Sequence, residues 1–450
     1  MKVSLIGLGY VGLATGVALS SLGHSVVAFD IDVGRMQLLS AGQVPIYEPG
    51  LETALIAVLG NGRFRLVSSL QDAVSDSDVV IVAVGTPSGA DGEPNLTALT
   101  RVADDLAPYL ASNNLVVLKS TVPPGTDLVF SERIATRRRS LGLPEVSLVI
   151  GVNPEFLREG HALEDSLQPS RIVIGLADAS SRVRLSTLYG VFDCPMVWTD
   201  PNSAVLIKYA SNCFLATRIS FINEIARLCM LSGASIDDVE RGMGADPRIG
   251  SRYLSAGIGY GGSCLPKDTL ALLAIGKRLG YCPRIVQAAV DVNADQASLL
   301  IREIERRCAP GLVELRVAVL GAAFKADTDD VRDSVGIRFA NELARRGAVV
   351  SVHDYQALTN ARTVLRPDVR LSATVEEAVS GADAVVVATE WSNYAGLDWE
   401  YLATLMQGRL VLDGRNVLEP DVVRGAGLQY WGIGRSAEGP EQKGRERRVD

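Results

Sequence analysis

The chain has 450 residues, 47% hydrophobic and 21% charged, with a formal net charge of -8. That is the composition of a globular protein long enough for two or three domains with their own cores. The acidic balance argues against a general binder of nucleic acid or anionic membranes, so any anionic ligand must be held by locally placed Lys and Arg.

At the N-terminus, Lys2 to Ile6 reads as a short apolar strand running into Gly7-Leu8-Gly9-Tyr10-Val11-Gly12, a GxGxxG pattern. An apolar helical run follows to Leu22, Gly23 and His24 turn the chain, and Ser25 to Phe29 reads as a second strand ending in Asp30. The first two glycines allow a tight turn and close approach to a pyrophosphate, and the third lets helix pack on strand. Asp30 lies at about the distance of the acid that binds an adenosine ribose. An acid there favours NAD over NADP, whose extra phosphate it would repel, while Arg35 leaves that choice open. Residues 3–22 are nearly uncharged, but their glycines and the lack of a following cleavage site argue against a signal peptide or membrane span.

Further apolar strands are expected at Val79 to Val84, Leu115 to Lys119 and Ser147 to Val152. Each ends in polar or glycine-bearing sequence: Gly85-Thr86-Pro87, Ser120-Thr121 with Gly125 beyond, and Asn153-Pro154-Glu155 continuing to Arg158-Glu159-Gly160. Carboxyl ends of parallel strands are where such sheets bind ligands, so residues 1–200 are read as a doubly wound domain with a cofactor cleft. From Pro201 to Leu231 apolar residues recur at helical spacing without internal glycine or proline, which predicts one long helix able to link domains and pair subunits. Lys208 and Asn212, four apart, share a face of it.

A smaller helical domain, 201–308, carries Gly257-Ile-Gly-Tyr-Gly-Gly-Ser-Cys264-Leu-Pro-Lys267-Asp268. One cysteine in a glycine-rich loop with an ammonium just downstream is the setting of a nucleophilic thiol, because a nearby cation favours the thiolate and glycines allow close approach. A second α/β unit, 309–434, opens at Arg316 to Leu320 and runs through Val349 to Asp354, Ala384 to Ala388 and Leu410 to Asp413. Its first turn, Gly321-Ala-Ala-Phe324-Lys325, lacks the full GxGxxG, so nucleotide binding of another kind is inferred. Residues 435–450, with mixed charges and almost no apolar residue, read as a disordered tail. The fold class is therefore α/β: two Rossmann-like doubly wound parallel-sheet domains joined by a long central helix and a helical middle domain.

The six cysteines show neither CxxC spacing nor disulfide-scaffold density, and the three histidines show no ligand spacing. A reducing cytoplasm and no metal site are expected.

Eight segments in order, GLGYVG, VGTP, STVPPGT, NPEFLREG, KYASNCFLATRISFINE, GIGYGGSCLPKD, GAAFKADTDDVRDS and DGRN, resemble the UDP-glucose/GDP-mannose dehydrogenase family over residues 1 to about 433. The resemblance implies an N-terminal NAD domain, a homodimer core on the long helix, and a C-terminal domain for the nucleoside diphosphate. It implies oxidation of a sugar C6 alcohol to a carboxylate with two NAD, with Cys264 as nucleophile, Lys208, Asn212 and Asp268 around the reacting carbon, and Thr121 and Glu155 positioning water or protons. The first oxidation needs its own proton acceptor, either Asp268 through water or Lys208. By the same resemblance Val11, Asp30, Arg35, Thr86, Thr121, Glu155, Lys267 and Arg332 join Gly7, Gly9 and Gly12 at NAD. Glu155, Phe156, Leu157, Lys208, Asn212, Tyr253, Leu254, Gly257, Gly261 and Lys325 contact the sugar nucleotide. Residues 246–253 and Asp413 to Asn416 look like the UDP-glucose branch. Leu265 is shared with the GDP-mannose branch, so GDP-mannose or an N-acetylated UDP-hexosamine stands as the alternative substrate.

Overall fold

The computed structural model describes residues 1–112, 114–308 and 311–435. The chain divides into two compact units, Met1–Ser211 with Leu270–Gly280, and Asn212–Thr269 with Tyr281 onward. The tail expectation falls on residues 436–450, outside the described residues, except for Arg435. That side chain ion-pairs with Asp237 at 3.0 Å and donates to Tyr430 Oη at 2.6 Å.

In the first unit, short apolar runs form strands β1 (Lys2–Ile6), β2 (Ser25–Phe29), β3 (Phe64–Leu66), β4 (Val79–Val82), β5 (Leu115–Leu118), β6 (Val149–Val152), β7 (Ile172–Leu176) and β8 (Met196–Thr199). They build one sheet in the order β3-β2-β1-β4-β5-β6-β7-β8. Side chains alternate across it: Val79 and Ile81 enter one core, Val80 and Val82 the other. A sheet buried on both faces is why these strands are continuous apolar runs without polar alternation. The pairs are parallel except β6 with β7, which run antiparallel, so that β7 and β8 reverse direction at that edge. The strands β2, β4 and β5 end one or two residues before the predicted ends, because Asp30, Val84 and Lys119 already belong to the turns that leave the sheet, and β6 starts two residues later than predicted, at Val149.

The second unit contains β9 (Arg316–Leu320), β10 (Val349–His353), β11 (Arg370–Leu371), β12 (Ala384–Val387), β13 (Leu410–Asp413) and β14 (Gln429–Gly432). All pairs are parallel, in the order β11-β10-β9-β12-β13-β14, the same winding as the first six strands of the other sheet. In the first unit a Cβ on Gly12 would lie 1.9 Å from the Gly7 carbonyl oxygen, and in the second a Cβ on Gly336 would lie 2.4 Å from that of Gly321. The second pair lies much farther apart in sequence. The turn after β9 is thereby opened to admit the loop that carries Lys325 and Arg332, which is the physical sense of its missing GxGxxG.

The long helix spans Pro201–Ser232, with Pro201 at its start, where a missing N–H costs nothing. No helix among the described residues is long and apolar enough to cross a membrane.

Candidate active site

The turn after β1 has the form a diphosphate requires. Gly7 adopts φ +94°, open to glycine at little cost, and the helix Tyr10–Ser21 starts immediately after Gly9. A Cβ on Gly9 would meet nothing within 4 Å, so the turn leaves open space beside the helix N-terminus. Asp30, at the end of β2, accepts from Leu8 N–H at 2.6 Å and pairs with Arg35 at 2.9 Å. The acid and the cation named from sequence thus form one unit against the glycine turn. Val11 lies within the first turn of that helix.

The ends of β4, β5 and β6 bring together the next group. Thr86 Oγ1 donates to the Thr121 carbonyl at 2.8 Å. Glu155 and Lys208 are both buried and paired at 2.7 Å, and the other Glu155 oxygen accepts from Leu157 N–H at 2.7 Å. Burial pushes the Glu155 carboxyl up, but the Lys208 charge and hydrogen bond, the Leu157 N–H and the Lys119 charge outweigh it and hold the group below the usual carboxylate range. Phe156 lies under the Arg171 guanidinium at 3.8 Å, with the Lys208 ammonium 5.5 Å from its ring centroid.

Sequence reasoning missed Lys119 here. Its ammonium is buried and donates to Asn153 Oδ1 at 3.0 Å, an oxygen that also accepts from Tyr189 Oη at 2.7 Å. Burial pushes this lysine down to about 8, opposed by Glu155 and reinforced by Lys208. The available signal was a lone ionisable residue closing an otherwise apolar strand.

In the second unit, Cys264 directly precedes the helix Leu265–Arg278, and its carbonyl accepts the Asp268 N–H at 2.9 Å. The nucleophile candidate therefore sits at the positive end of a helix, which favours negative charge on sulfur. Ser263 Oγ lies 3.4 Å from Cys264 Sγ. Asp268 is fully buried, accepts from Asn212 Nδ2 at 2.5 Å, and pairs with Lys267 at 2.6 Å. Lys208 and Asn212 stand one helical turn apart, yet each already has its own carboxylate, Glu155 for one and Asp268 for the other.

The loop before Cys264 is gripped from several sides. Gly257 N–H donates to Asn223 Oδ1 at 2.8 Å, Tyr260 exchanges hydrogen bonds with the Asn293 amide at 2.8 and 3.1 Å, and a Cβ on Gly261 would lie 2.2 Å from the Asp333 carbonyl oxygen. Tyr253 holds φ +60°, costly for an aromatic residue, and Leu254 beside it is buried. Lys325 lies 5.8 Å from the Phe324 ring centroid, and Arg332 is paired with Asp330 at 2.5 Å. A residue not singled out from sequence, Arg415 in the DGRN segment, donates to the carbonyls of Gly259, Phe324 and Ala388 at 2.8 to 3.1 Å and ties this loop to the ends of the second sheet.

Three family models match successive parts of the chain. The NAD binding domain of the UDP-glucose/GDP-mannose dehydrogenase family matches residues 1–193, its central domain 202–295 and its UDP binding domain 318–420. The chain is 41% identical over 440 residues to UDP-glucose 6-dehydrogenase YwqF of Bacillus subtilis, covering 98% of this chain and 99% of the relative. It is 41% identical over 442 residues to a UDP-glucose 6-dehydrogenase of Rhizobium meliloti, covering 97% and 100%. Among solved structures it resembles a UDP-glucose dehydrogenase from Pyrobaculum islandicum with a TM-score of 0.90 and 40% identity, over 96% of this chain and 98% of that one.

Proposed function

The chain belongs to the UDP-glucose/GDP-mannose dehydrogenase family, and from that premise we propose that it oxidises UDP-glucose at C6 to UDP-glucuronate, consuming one water and reducing two NAD. The observation that carries this reading is Cys264 at the head of a helix beside the Asn212–Asp268–Lys267 cluster, in a chain with full-length UDP-glucose 6-dehydrogenase relatives. When bound, NAD supplies the hydride acceptor for both oxidations. Gly7, Gly9 and Gly12 would hold its diphosphate and Asp30 with Arg35 its ribose, and by the family resemblance Val11, Thr86, Thr121, Glu155, Lys267 and Arg332 would contribute the remaining contacts.

The chain's own residues do the rest. Asp268 takes, through a water, the proton of the C6 hydroxyl in the first oxidation. The Cys264 thiolate then adds to the aldehyde carbon, and Lys208 with Asn212 stabilises the resulting alkoxide. Once the second hydride has left that carbon, it is a thioester on Cys264. Glu155, with Thr121 orienting the water, removes a proton as water attacks. The C–S bond breaks, the thiolate is regenerated and the acid leaves. The Lys208 and Lys119 charges keep Glu155 ionised and so able to accept that proton. Phe156, Leu157, Tyr253, Leu254, Gly257, Gly261 and Lys325 hold the sugar nucleotide.

We infer a homodimer built on the long helix, the core of a central region spanning 201–308. Phe214, Phe221 and Leu228 are exposed at seven-residue intervals along it, with Leu231 beside them, and such a stripe on one helix face suits a second copy of the same helix. A cytoplasmic setting fits six cysteines of which none is in a disulfide among the described residues.

The test is NADH formed per UDP-glucose consumed by purified protein at saturating NAD. A ratio of two supports oxidation to the acid. A ratio of one means that the reaction stops at the aldehyde and removes the role given to Cys264. No NADH with UDP-glucose, but NADH with GDP-mannose or an N-acetylated UDP-hexosamine, replaces the substrate.

A further inference from the structure

Glu48 is a buried carboxylate in the loop before the helix Leu51–Gly60. Burying a carboxylate is costly unless its oxygens are satisfied, and here they are. Oε1 accepts from Ala162 N–H at 2.6 Å and from Leu163 N–H at 3.4 Å. Oε2 accepts from Gly160 N–H at 2.8 Å and from the hydroxyl of Tyr10. Gly160 N–H is shared, lying 2.7 Å from Tyr10 Oη as well, which closes a triangle of Tyr10, Glu48 and Gly160.

Each corner of that triangle has a place in the site. Tyr10 is the first residue of the helix that follows the dinucleotide turn. Gly160, at φ +80°, ends the loop that leaves β6 and carries Glu155. The short helix Ala162–Leu167 has no side-chain cap from its own preceding residue, His161. Glu48 supplies that cap instead, from 114 positions away. At its other end the same loop is fixed by Asn153, whose Nδ2 donates to the Val173 carbonyl at 2.8 Å while its Oδ1 receives Lys119. The Glu155 loop is therefore pinned at both ends, and its distal pin is joined to the cofactor turn.

We propose that Glu48 is a positioning residue that bolts the Glu155 loop to the dinucleotide turn through Tyr10, so that cofactor binding and thioester hydrolysis depend on one contact. The part concerning hydrolysis rests on the function proposed above. The part concerning the cofactor turn does not.

The experiment compares Glu48→Gln, Tyr10→Phe and the double variant with the wild type by NADH binding in fluorescence titration, turnover with UDP-glucose, amide hydrogen exchange at Gly160, Ala162 and Leu163, and Tm. Tyr10→Phe removes a single hydroxyl and keeps the measurement informative should Glu48→Gln unfold. The proposal expects Glu48→Gln to lower kcat about tenfold and weaken NADH binding several-fold, with faster exchange at the three amides. Tyr10→Phe shifts the same quantities less, and the double variant is no worse than Glu48→Gln, because both remove one shared contact. Losses that multiply in the double variant overturn the proposal. So does a folded Tyr10→Phe with wild-type NADH binding and turnover, or a lower Tm in Glu48→Gln with unchanged kcat and NADH affinity below that Tm. A wild type that makes no NADH from UDP-glucose counts against the function, and the bolt is then judged by NADH binding and exchange alone.

Discussion

Glu155 and Lys208, 53 positions apart, meet at 2.7 Å with neither side chain more than 7% exposed. In a site this dry, a carboxylate and an ammonium are each costly alone and are tolerated because they are paired. Lys208→Met strands the Glu155 charge, and a stability loss of about 3–5 kcal/mol in denaturant unfolding at neutral pH is expected. The sign with pH follows from the lowered carboxyl. The pair's contribution is fully present above the unfolded carboxylate range and is lost as pH falls through the lower folded value. The gap between wild type and variant therefore narrows on acidification; a gap that stays constant down to acid pH contradicts the pairing.

Glu155→Gln removes the proposed base and leaves Cys264 in place. Each active site should release two NADH in a fast burst and then stall as a thioester, with steady turnover reduced roughly 10²–10⁴-fold. Rapid-mixing absorbance together with intact protein mass reads both. Wild-type steady turnover in this variant assigns the proton to another group.

Cys264→Ala removes the proposed nucleophile, on which acid formation by the thioester route depends. The rate of UDP-glucuronate production should fall by a factor on the order of 10³ or more. Product analysis by chromatography is decisive, because full acid formation by the variant rules out the thioester route.

Lys119 offers a stability test independent of substrate. Its folded value near 8 lies below that of an unfolded lysine, so between these two values the unfolded chain binds more protons and stability rises with pH. Against Lys119→Met, which cannot titrate, the wild type should gain on the order of 3 kcal/mol as pH rises from about 8 to 10.5. Parallel unfolding curves across that interval would show that the ammonium is not held in a desolvated place.

Phe221→Glu places a charge in the middle of the exposed stripe on the long helix, where Phe221 is 45% exposed in the single chain. Sedimentation velocity should show a dimer for wild type and a shift toward monomer for the variant, since a buried unpaired carboxylate costs several kcal/mol at an interface. A variant that stays dimeric locates the interface elsewhere.

Local chemistry was open to reading from the sequence because its physics is local. Continuous apolar runs give strands buried on both faces, the glycines at 7, 9 and 12 give a turn that tolerates no Cβ at its crossing, and the loop before Cys264 advertises a thiol next to a cation. The long helix was equally legible from 31 residues of unbroken periodicity, from Pro201 to Leu231.

Tertiary structure alone decided which charges meet. Nothing near Lys208 announces Glu155, nothing near Glu48 announces Tyr10 or Gly160, and Lys119 reads as the polar end of a strand until burial strips its solvent. Sequence periodicity reports which face a residue occupies. The energy of a buried charge depends on partners that the winding of the sheet brings in from distant positions, so the pairing of the site is a property of the fold and its chemistry a property of the chain.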